Sequence, residues 1–247
     1  MERDAGAPVA TFLTPTRLAS GETATLDDAA AHHARVKRLV AGDGVGLTDG
    51  AGRLARGTIV SLRRGGFDVA ITRVDEVRRP SPIHLRVPIG DRDRMLWLAE
   101  KATELGITSW QAVHFRRSSS VSPRGEGSAF GEKVRARMAS ALEQSGGAWM
   151  PEILSEARVD ELSASANALE MVLDVGGEPL PKILRLAGTA EPVILFGPEG
   201  GIEADEMKLL ESHGWRRSRL ASTTLRFETA GIAAVAVCRA MNTETGS

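Results

Sequence analysis

Tyrosine is missing altogether from the 247 residues, and with four Trp and six Phe the aromatic content is only 4%. A surface that grips single-stranded nucleic acid by stacking bases on rings has little to be built from. Cysteine is nearly missing too. Cys238 stands alone, which excludes an internal disulfide and a multi-cysteine zinc site; beside the apolar run Ile232–Val237 it reads as a small buried hydrophobe. No stretch approaches the roughly 18 apolar residues of a membrane span. Met1-Glu2-Arg3-Asp4 lacks the basic and apolar regions of a signal peptide, so a cytoplasmic protein is expected. An excess of one charge sign is also lacking. Net charge is −1, with 12 basic against 10 acidic residues in 1–79 and 19 against 22 in 80–247. That is far from the footprint of a general nucleic-acid binder. Local clusters remain at Arg63-Arg64, Arg78-Arg79, Arg116-Arg117 and Arg216–Arg219, each of which a solvated face also explains.

What is present is enough apolar material, 42% of residues, for a sizeable core. Residues 10–77 read as short strands (Ala10–Thr14, Thr23–Leu26, Val45–Thr48, Leu54–Leu62, Phe67–Val74) separated by glycine and Asp-Gly turns. One helix interrupts them from about Asp27 to Val40, acidic in its first turn and carrying Arg35, Lys37 and Arg38 toward its end, as the helix dipole favours. A small β-rich barrel is expected. Arg78-Arg79-Pro80-Ser81-Pro82 then breaks regular structure and marks a domain boundary.

From Ile83 the rhythm becomes strand then helix. Ile83–Ile89 reads as a strand, and Met95, Leu98, Ala99, Ala102 and Leu105 define one helix face within Asp91–Leu105, stopped by Gly106. Ile107–Phe115, Leu169–Val175 and Val193–Phe196 read as strands, and Gly131–Gln144, Glu203–His213 and Thr229–Met241 as helices. Such alternation implies a mainly parallel sheet covered by helices. Ser118–Ser128, rich in Ser and Gly, reads as a mobile loop.

Two segments carry chemistry. The buried run Val193–Phe196 ends in Gly197-Pro198-Glu199-Gly200-Gly201, placing a glycine-bearing loop at the carboxyl edge of the sheet, where open α/β folds bind ligands. The helix that follows opens with Glu203, Asp205 and Glu206, which would repel the phosphate that such a helix start usually attracts. The loop therefore suits a ligand without phosphate, although a purely structural turn would leave the same pattern. The second segment, Leu220–Ala230, comes off an expected strand at Arg219–Ala221 and places Ser222, Thr223 and Thr224 before Leu225-Arg226-Phe227-Glu228-Thr229. If the two strands are neighbours, the two loops form one pocket. The two charges of Arg226 and Glu228 could equally pair with each other or solvate the helix start.

Other candidates carry less. Gly42-x-Gly44-x-Gly46 has its third glycine misplaced for a dinucleotide site and is followed by a strand, so turns explain it. His32-His33 has no metal-ligand partner at helical spacing, and His84, His114 and His213 are isolated. No nucleophile–His grouping supports hydrolysis, and no metal is expected.

Taken in order, Glu100–Gly106, Glu143-Gln144-Ser145-Gly146, Gly197–Gly201 and Leu225–Ala230 resemble the motifs of the RsmE-type 16S ribosomal RNA uridine-N3 methyltransferases of the SPOUT class, over nearly the whole chain. The resemblance implies an α/β protein in which 1–77 form a PUA-like RNA-binding β-barrel. Residues 80–247 would form a methyltransferase domain whose parallel sheet is tied into a trefoil knot, an exception to the rarity of knots. It implies S-adenosylmethionine as cofactor, lined by Leu173, Gly197, Pro198, Glu199, Gly200, Gly201, Leu220 and Leu225. It also implies catalysis by Arg226 and Glu228, with Glu228 orienting Arg226 or taking a proton, and RNA contacts from Arg35, Arg38 and Arg117. The partners implied are 16S RNA in the small ribosomal subunit and a second copy of the chain. The sequence departs from the family at Ala221, Thr223, Phe227 and Gly147. These departures keep open a non-catalytic RNA-binding or ribosome assembly factor, and the SPOUT class at large keeps open methylation of another RNA base or a ribose 2′-hydroxyl.

Overall fold

The computed structural model describes residues 8–120, 122–186 and 188–244. The chain separates into two compact units: one ends at Arg79 and takes in Ala139–Met150, and the other comprises Pro80–Met138 and resumes at Pro151.

The first unit contains β1 (Thr11–Leu13), β2 (Thr23–Leu26), α1 (Asp28–Val36), β3 (Gly44–Thr48), β4 (Arg53–Arg63) and β5 (Gly66–Glu76). The strands form a five-stranded sheet in the order β1-β3-β4-β5-β2, antiparallel except for the β1–β3 pair. Phe12, Leu47, Ile59 and Phe67 are fully buried in its core, and the Phe12 and Phe67 rings meet edge to face at 5.1 Å. Asp27 caps α1 by accepting from the Ala30 amide at 2.9 Å. The helix stops at Val36, short of the expected Val40, because Arg38 takes a left-handed φ of +57° and no α-helix passes through that conformation.

The segment 139–150 braces this unit. Glu143 accepts from the Leu13 amide at 2.8 Å, Thr48 donates its hydroxyl to the Gly147 carbonyl at 3.0 Å, and the Trp149 indole donates to the Val77 carbonyl at 3.1 Å. Burial pushes the Glu143 carboxyl up from its ordinary value. Glu143 of the Glu143-Gln144-Ser145-Gly146 motif, with Gly147 just after it, thus works here as a brace.

The second unit contains β6 (His84–Pro88), α2 (Arg92–Glu104), β7 (Ser109–His114), the first part of α3 (Ser128–Ser145), β8 (Glu152–Arg158), β9 (Ala168–Pro179), α4 (Leu180–Leu186), β10 (Glu191–Phe196), α5 (Ala204–Ser212), β11 (Arg216–Arg219) and α6 (Phe227–Glu244). Its six strands run in the order β11-β9-β10-β6-β7-β8, and every pairing is parallel. β10 lies between β9 and β6, so Val193–Phe196 are all buried, the unbroken apolar run that a two-sided sheet demands. On one side α6 packs against α2, β6 and β10. Leu210 of α5 instead joins Val172, Val193, Leu195 and Trp215 in a separate core cluster.

Two elements lie where no strand or helix was expected, β8 and α4, and β11 begins three residues before Arg219. Within the expected loop Ser118–Ser128, a 3₁₀ turn spans Arg116–Ser120 and α3 already starts at Ser128; Val121 lies outside the described residues.

Candidate functional site

The carboxyl ends of the strands converge on a cleft of about 200 Å³. Leu173, Asp174 and Val175 come from β9, Phe196, Gly197, Pro198, Gly201 and Ile202 from β10 and its loop, Leu220, Ala221 and Thr223–Leu225 from the loop after β11, and Phe227 and Ala230 from the start of α6. The two loops do share one pocket, but not through neighbouring strands. β9 lies between β10 and β11, and its end forms the floor between the loops.

The walls are mostly aliphatic and backbone, and Asp174 is the one charged residue among the described lining. Asp174 accepts from the Gly176 amide at 2.8 Å and pairs with Arg217, whose guanidinium is pushed up by that carboxylate. The turn after β10 closes through the Gly201 amide, which donates to the Pro198 carbonyl at 2.8 Å, and Gly201 sits at φ +78°, where a side chain would be strained.

Of the residues expected around a cofactor, Leu173, Gly197, Pro198, Gly201, Leu220 and Leu225 form the wall. Glu199 and Gly200 do not, because each is engaged on the outer side of the loop. The Glu199 carboxylate accepts from the Asp91 amide at 3.2 Å, while Arg117 covers Gly200 and donates to its carbonyl at 2.8 Å.

The carboxylates opening α5 also have partners. Arg116 pairs with Glu203 and Asp205, and Arg117 with Glu203 at 3.3 Å. Glu206 is buried and accepts from the Glu203 amide at 3.0 Å and the Arg116 amide at 2.9 Å. Two amides at this helix start, those of Glu203 and Glu206, are thus already met by its own carboxylates, Glu206 and Asp205.

Arg226 and Glu228 flank the beginning of α6 but do not face each other. Arg226 is exposed and its carbonyl accepts from the Ala230 amide at 2.9 Å. Glu228 instead approaches Arg94 of α2, Oε1 to Nη1, at 3.6 Å. Residues two apart on a helix point in different directions, so the expected Arg226–Glu228 pairing is geometrically disfavoured. Glu228 Oε2 is buried without a hydrogen-bond partner among the described residues.

A third element of the site was therefore missed, the turn from β6 into α2. Gly90 and Asp91 receive Glu199, Asp91 caps α2 by accepting from Asp93 and Arg94 amides at 3.1 and 3.0 Å, and Arg94 reaches Glu228. Its only sequence signal is an Asp in capping position directly after a strand.

Of the other expected residues, Arg35 and Arg38 are exposed on the first unit, Arg35 near Asp28 at 3.5 Å. Among the departures from the family pattern, Ala221, Thr223 and Phe227 lie in the cleft wall, Phe227 being buried. No cluster that could hold a metal ion occurs among the described residues, and no described helix is long and apolar enough to cross a membrane.

Comparison with known proteins agrees with this geometry. A family model described as an RNA methyltransferase domain matches residues 77–239, and one described as an RNA methyltransferase PUA domain matches residues 26–72. The chain is 31% identical over 238 residues to ribosomal RNA small subunit methyltransferase E of Mycobacterium bovis, covering 91% of this chain and 88% of that protein. Its namesake in Rickettsia conorii is 27% identical over 233 residues, covering 88% and 91%. The crystal structure of a ribosomal RNA small subunit methyltransferase E from Neisseria gonorrhoeae bound to S-adenosyl methionine has a TM-score of 0.80 at 25% identity, covering 94% of this chain and 97% of that one. With a relative 31% identical over about nine tenths of both chains and the cleft built from the motif loops, the chain belongs to the ribosomal RNA small subunit methyltransferase E family.

Proposed function

We propose that this chain methylates N3 of a uridine in the 16S RNA of the small ribosomal subunit, with S-adenosylmethionine as methyl donor. The observation that carries the reading is the cleft at the carboxyl edge of the parallel sheet, with aliphatic and backbone walls and no cationic side chain among its described lining. These residues fit the cofactor. A sulfonium cation on a nucleoside without phosphate needs apolar walls and backbone groups and is not served by Lys or Arg. Leu173, Gly197, Pro198, Gly201, Leu220 and Leu225 would hold it, with Glu199 and Gly200 fixing the loop from outside.

When bound, the cofactor supplies a methyl group on sulfur that departs as a neutral thioether with the bonding pair. The protein's share is alignment and proton handling. Uridine N3 carries a proton at neutral pH. Glu228 accepts it, the N–H electron pair stays on nitrogen to attack the methyl carbon, and Arg226 stabilises the charge spread over the flanking oxygens. A paired uridine hides N3, so the base enters unpaired or flipped out.

In this reading residues 1–77 are a PUA-like RNA-binding barrel, residues 80–247 the SPOUT methyltransferase domain, and Arg35, Arg38 and Arg117 touch RNA. The placement of β9 between the later strands β10 and β11 supports a trefoil knot in the C-terminal segment. Partly exposed Ile232, Ala233 and Val237 on α6 support a homodimer through that helix. A ribosomal substrate supports a cytoplasmic location.

The test is transfer of labelled methyl to small subunits from cells lacking this protein, with the product nucleoside identified by mass spectrometry. N3-methyluridine is expected. Methyl on a ribose 2′-hydroxyl or another base overturns the target. The second reading, a binding factor without activity, is favoured by Ala221, Thr223 and Phe227 in the wall; saturable cofactor binding without transfer would support it. Arg226→Ala and Glu228→Ala variants that bind cofactor and keep wild-type turnover would overturn the assigned roles.

A further inference from the structure

We infer that Arg94 is a positioning residue for this reaction, holding the Glu228 carboxylate in place as the acceptor of the uracil N3 proton. The inference rests on the function proposed above and adds to it a residue that neither the motifs nor their spacing single out.

The first support is the pair itself. Arg94 Nη1 and Glu228 Oε1 lie 3.6 Å apart, with Glu228 only 13% and Arg94 34% exposed, so the attraction is screened far less than between surface charges. The second is how both partners are anchored. Asp91 fixes the start of α2 by accepting from the Arg94 amide at 3.0 Å, and the Gly90 carbonyl accepts from the Gly125 amide at 3.1 Å. Glu228 sits in the first turn of α6, between the cleft-lining residues Phe227 and Ala230. Each side chain thus leaves a fixed backbone, and the pair ties α2 to α6, whose first turn borders the cleft.

The third is the unused valence. Glu228 Oε2 is closed off from solvent and accepts no hydrogen bond among the described residues. A buried carboxylate oxygen without a donor is an unfavourable arrangement that folded proteins rarely keep without a use. The proposed substrate carries a matching donor, the uracil N3–H, which meets this oxygen only when the Glu228 side chain turns from its sealed position toward the cleft that Phe227 and Ala230 line. On transfer, the N–H bond breaks with its electron pair left on nitrogen, and the proton forms an O–H bond to Glu228. The guanidinium 3.6 Å from Oε1 restrains where the carboxylate points before that step. Arg226, one residue before Phe227 and exposed, is left to answer the charge on the uracil oxygens.

A plain clamp between α2 and α6 would place the same two residues together, and kinetics separates the two roles. Wild type, Arg94→Ala, Arg94→Lys, Glu228→Ala and the double Arg94→Ala/Glu228→Ala are compared on small subunits lacking the methyl group, with thermal unfolding and S-adenosylmethionine binding measured on each. Transfer to N3 by the wild type tests the underlying reading, and its absence sinks both. Given that transfer, Arg94→Ala is expected to lower kcat about 10- to 100-fold with KM and cofactor Kd within about twofold, a loss typical of proton-transfer machinery. Arg94→Lys should regain most of it, and the double variant should be no slower than Glu228→Ala, because Arg94 acts through Glu228. Wild-type kcat in Arg94→Ala, a loss confined to KM or unfolding temperature, or a double variant slower by the product of both effects would each overturn the inference.

Discussion

Glu199 is turned away from the cleft its loop encloses: Oε1 accepts from the Asp91 amide at 3.2 Å, and Oε2 occupies the place where a Cβ on residue 90 would come within 2.8 Å. The absence of a side chain at Gly90 thus makes room for the carboxylate that ties the loop after β10 to the start of α2. Glu199→Ala removes the tie and leaves the cleft wall chemically unchanged. A hydrogen bond to a charged group is worth about 1.5–3 kcal/mol, and the exposure of Glu199 puts its value at or below the lower end. A rise in S-adenosylmethionine Kd of about 5-fold by calorimetry is expected. An unchanged Kd would mean that the loop holds its shape without Glu199.

Legibility in the sequence followed burial. β10, with its unbroken apolar run, and α2, with one apolar face and a terminal glycine at φ +71°, were both readable. β8 was not, because at the edge of the sheet it buries only Ala157 and so carries no apolar alternation. The two motif loops could be placed at the cleft from local pattern. The position of β9 between β10 and β11 could not, since strand order is set by crossovers that leave no local trace. Arg94 and Glu228 are far apart in sequence and meet only because α2 packs on α6, whereas the tempting partner Arg226, two residues away, points elsewhere.

At Gly231 α6 passes close to its neighbours. A Cβ there would stand 2.9 Å from Phe196 Cζ and 3.1 Å from Leu98 Cδ1, and both side chains are buried. Ala for Gly inside a helix gains about 0.5–1 kcal/mol from backbone entropy, but overpacking a tight core costs about 1–3 kcal/mol. The clash is expected to win in Gly231→Ala. For a chain of this size the net loss of about 1 kcal/mol corresponds to a fall in Tm of about 2–4 °C. A rise in Tm would show that Leu98 gives way at no cost.

Arg239 joins α6 to the far end of α2. Its guanidinium donates to the Leu105 carbonyl at 3.1 Å, to Gly106, and to the Ser81 carbonyl at 2.8 Å. Two of these carbonyls close α2, where the helix dipole also favours a cation. Burial pulls the guanidinium below its usual value, but it stays charged. Arg239→Ala is expected to lose about 1–3 kcal/mol in urea unfolding. Lys in its place should recover only part, because an ammonium cannot span three carbonyls set around a planar fork. Full recovery by Lys would make charge, not geometry, the working property.

Cys238 allows the sharpest pH test, because the chain has no Tyr to blur an alkaline titration. The thiol is buried on α6, and burial pushes its pKa from the ordinary 9.0 up to about 12. The unfolded chain releases this proton near the ordinary value while the folded chain holds it. The stabilisation is therefore complete below the unfolded pKa, and falls from there until the folded pKa is reached. One group contributes at most about 1.4 kcal/mol per pH unit to that slope. Urea unfolding of wild type and Cys238→Ala across the alkaline range separates this group from the lysines, which titrate equally in both. The variant should be less stable near neutrality, having left a small cavity, and should lose less stability as pH rises, so the two curves converge. The folded wild-type thiol should also react slowly with a thiol reagent at about pH 8 and rapidly once unfolded. Parallel pH curves, or fast labelling of the folded protein, would show that the turn of α6 carrying Cys238 opens to solvent far more readily than its packing implies.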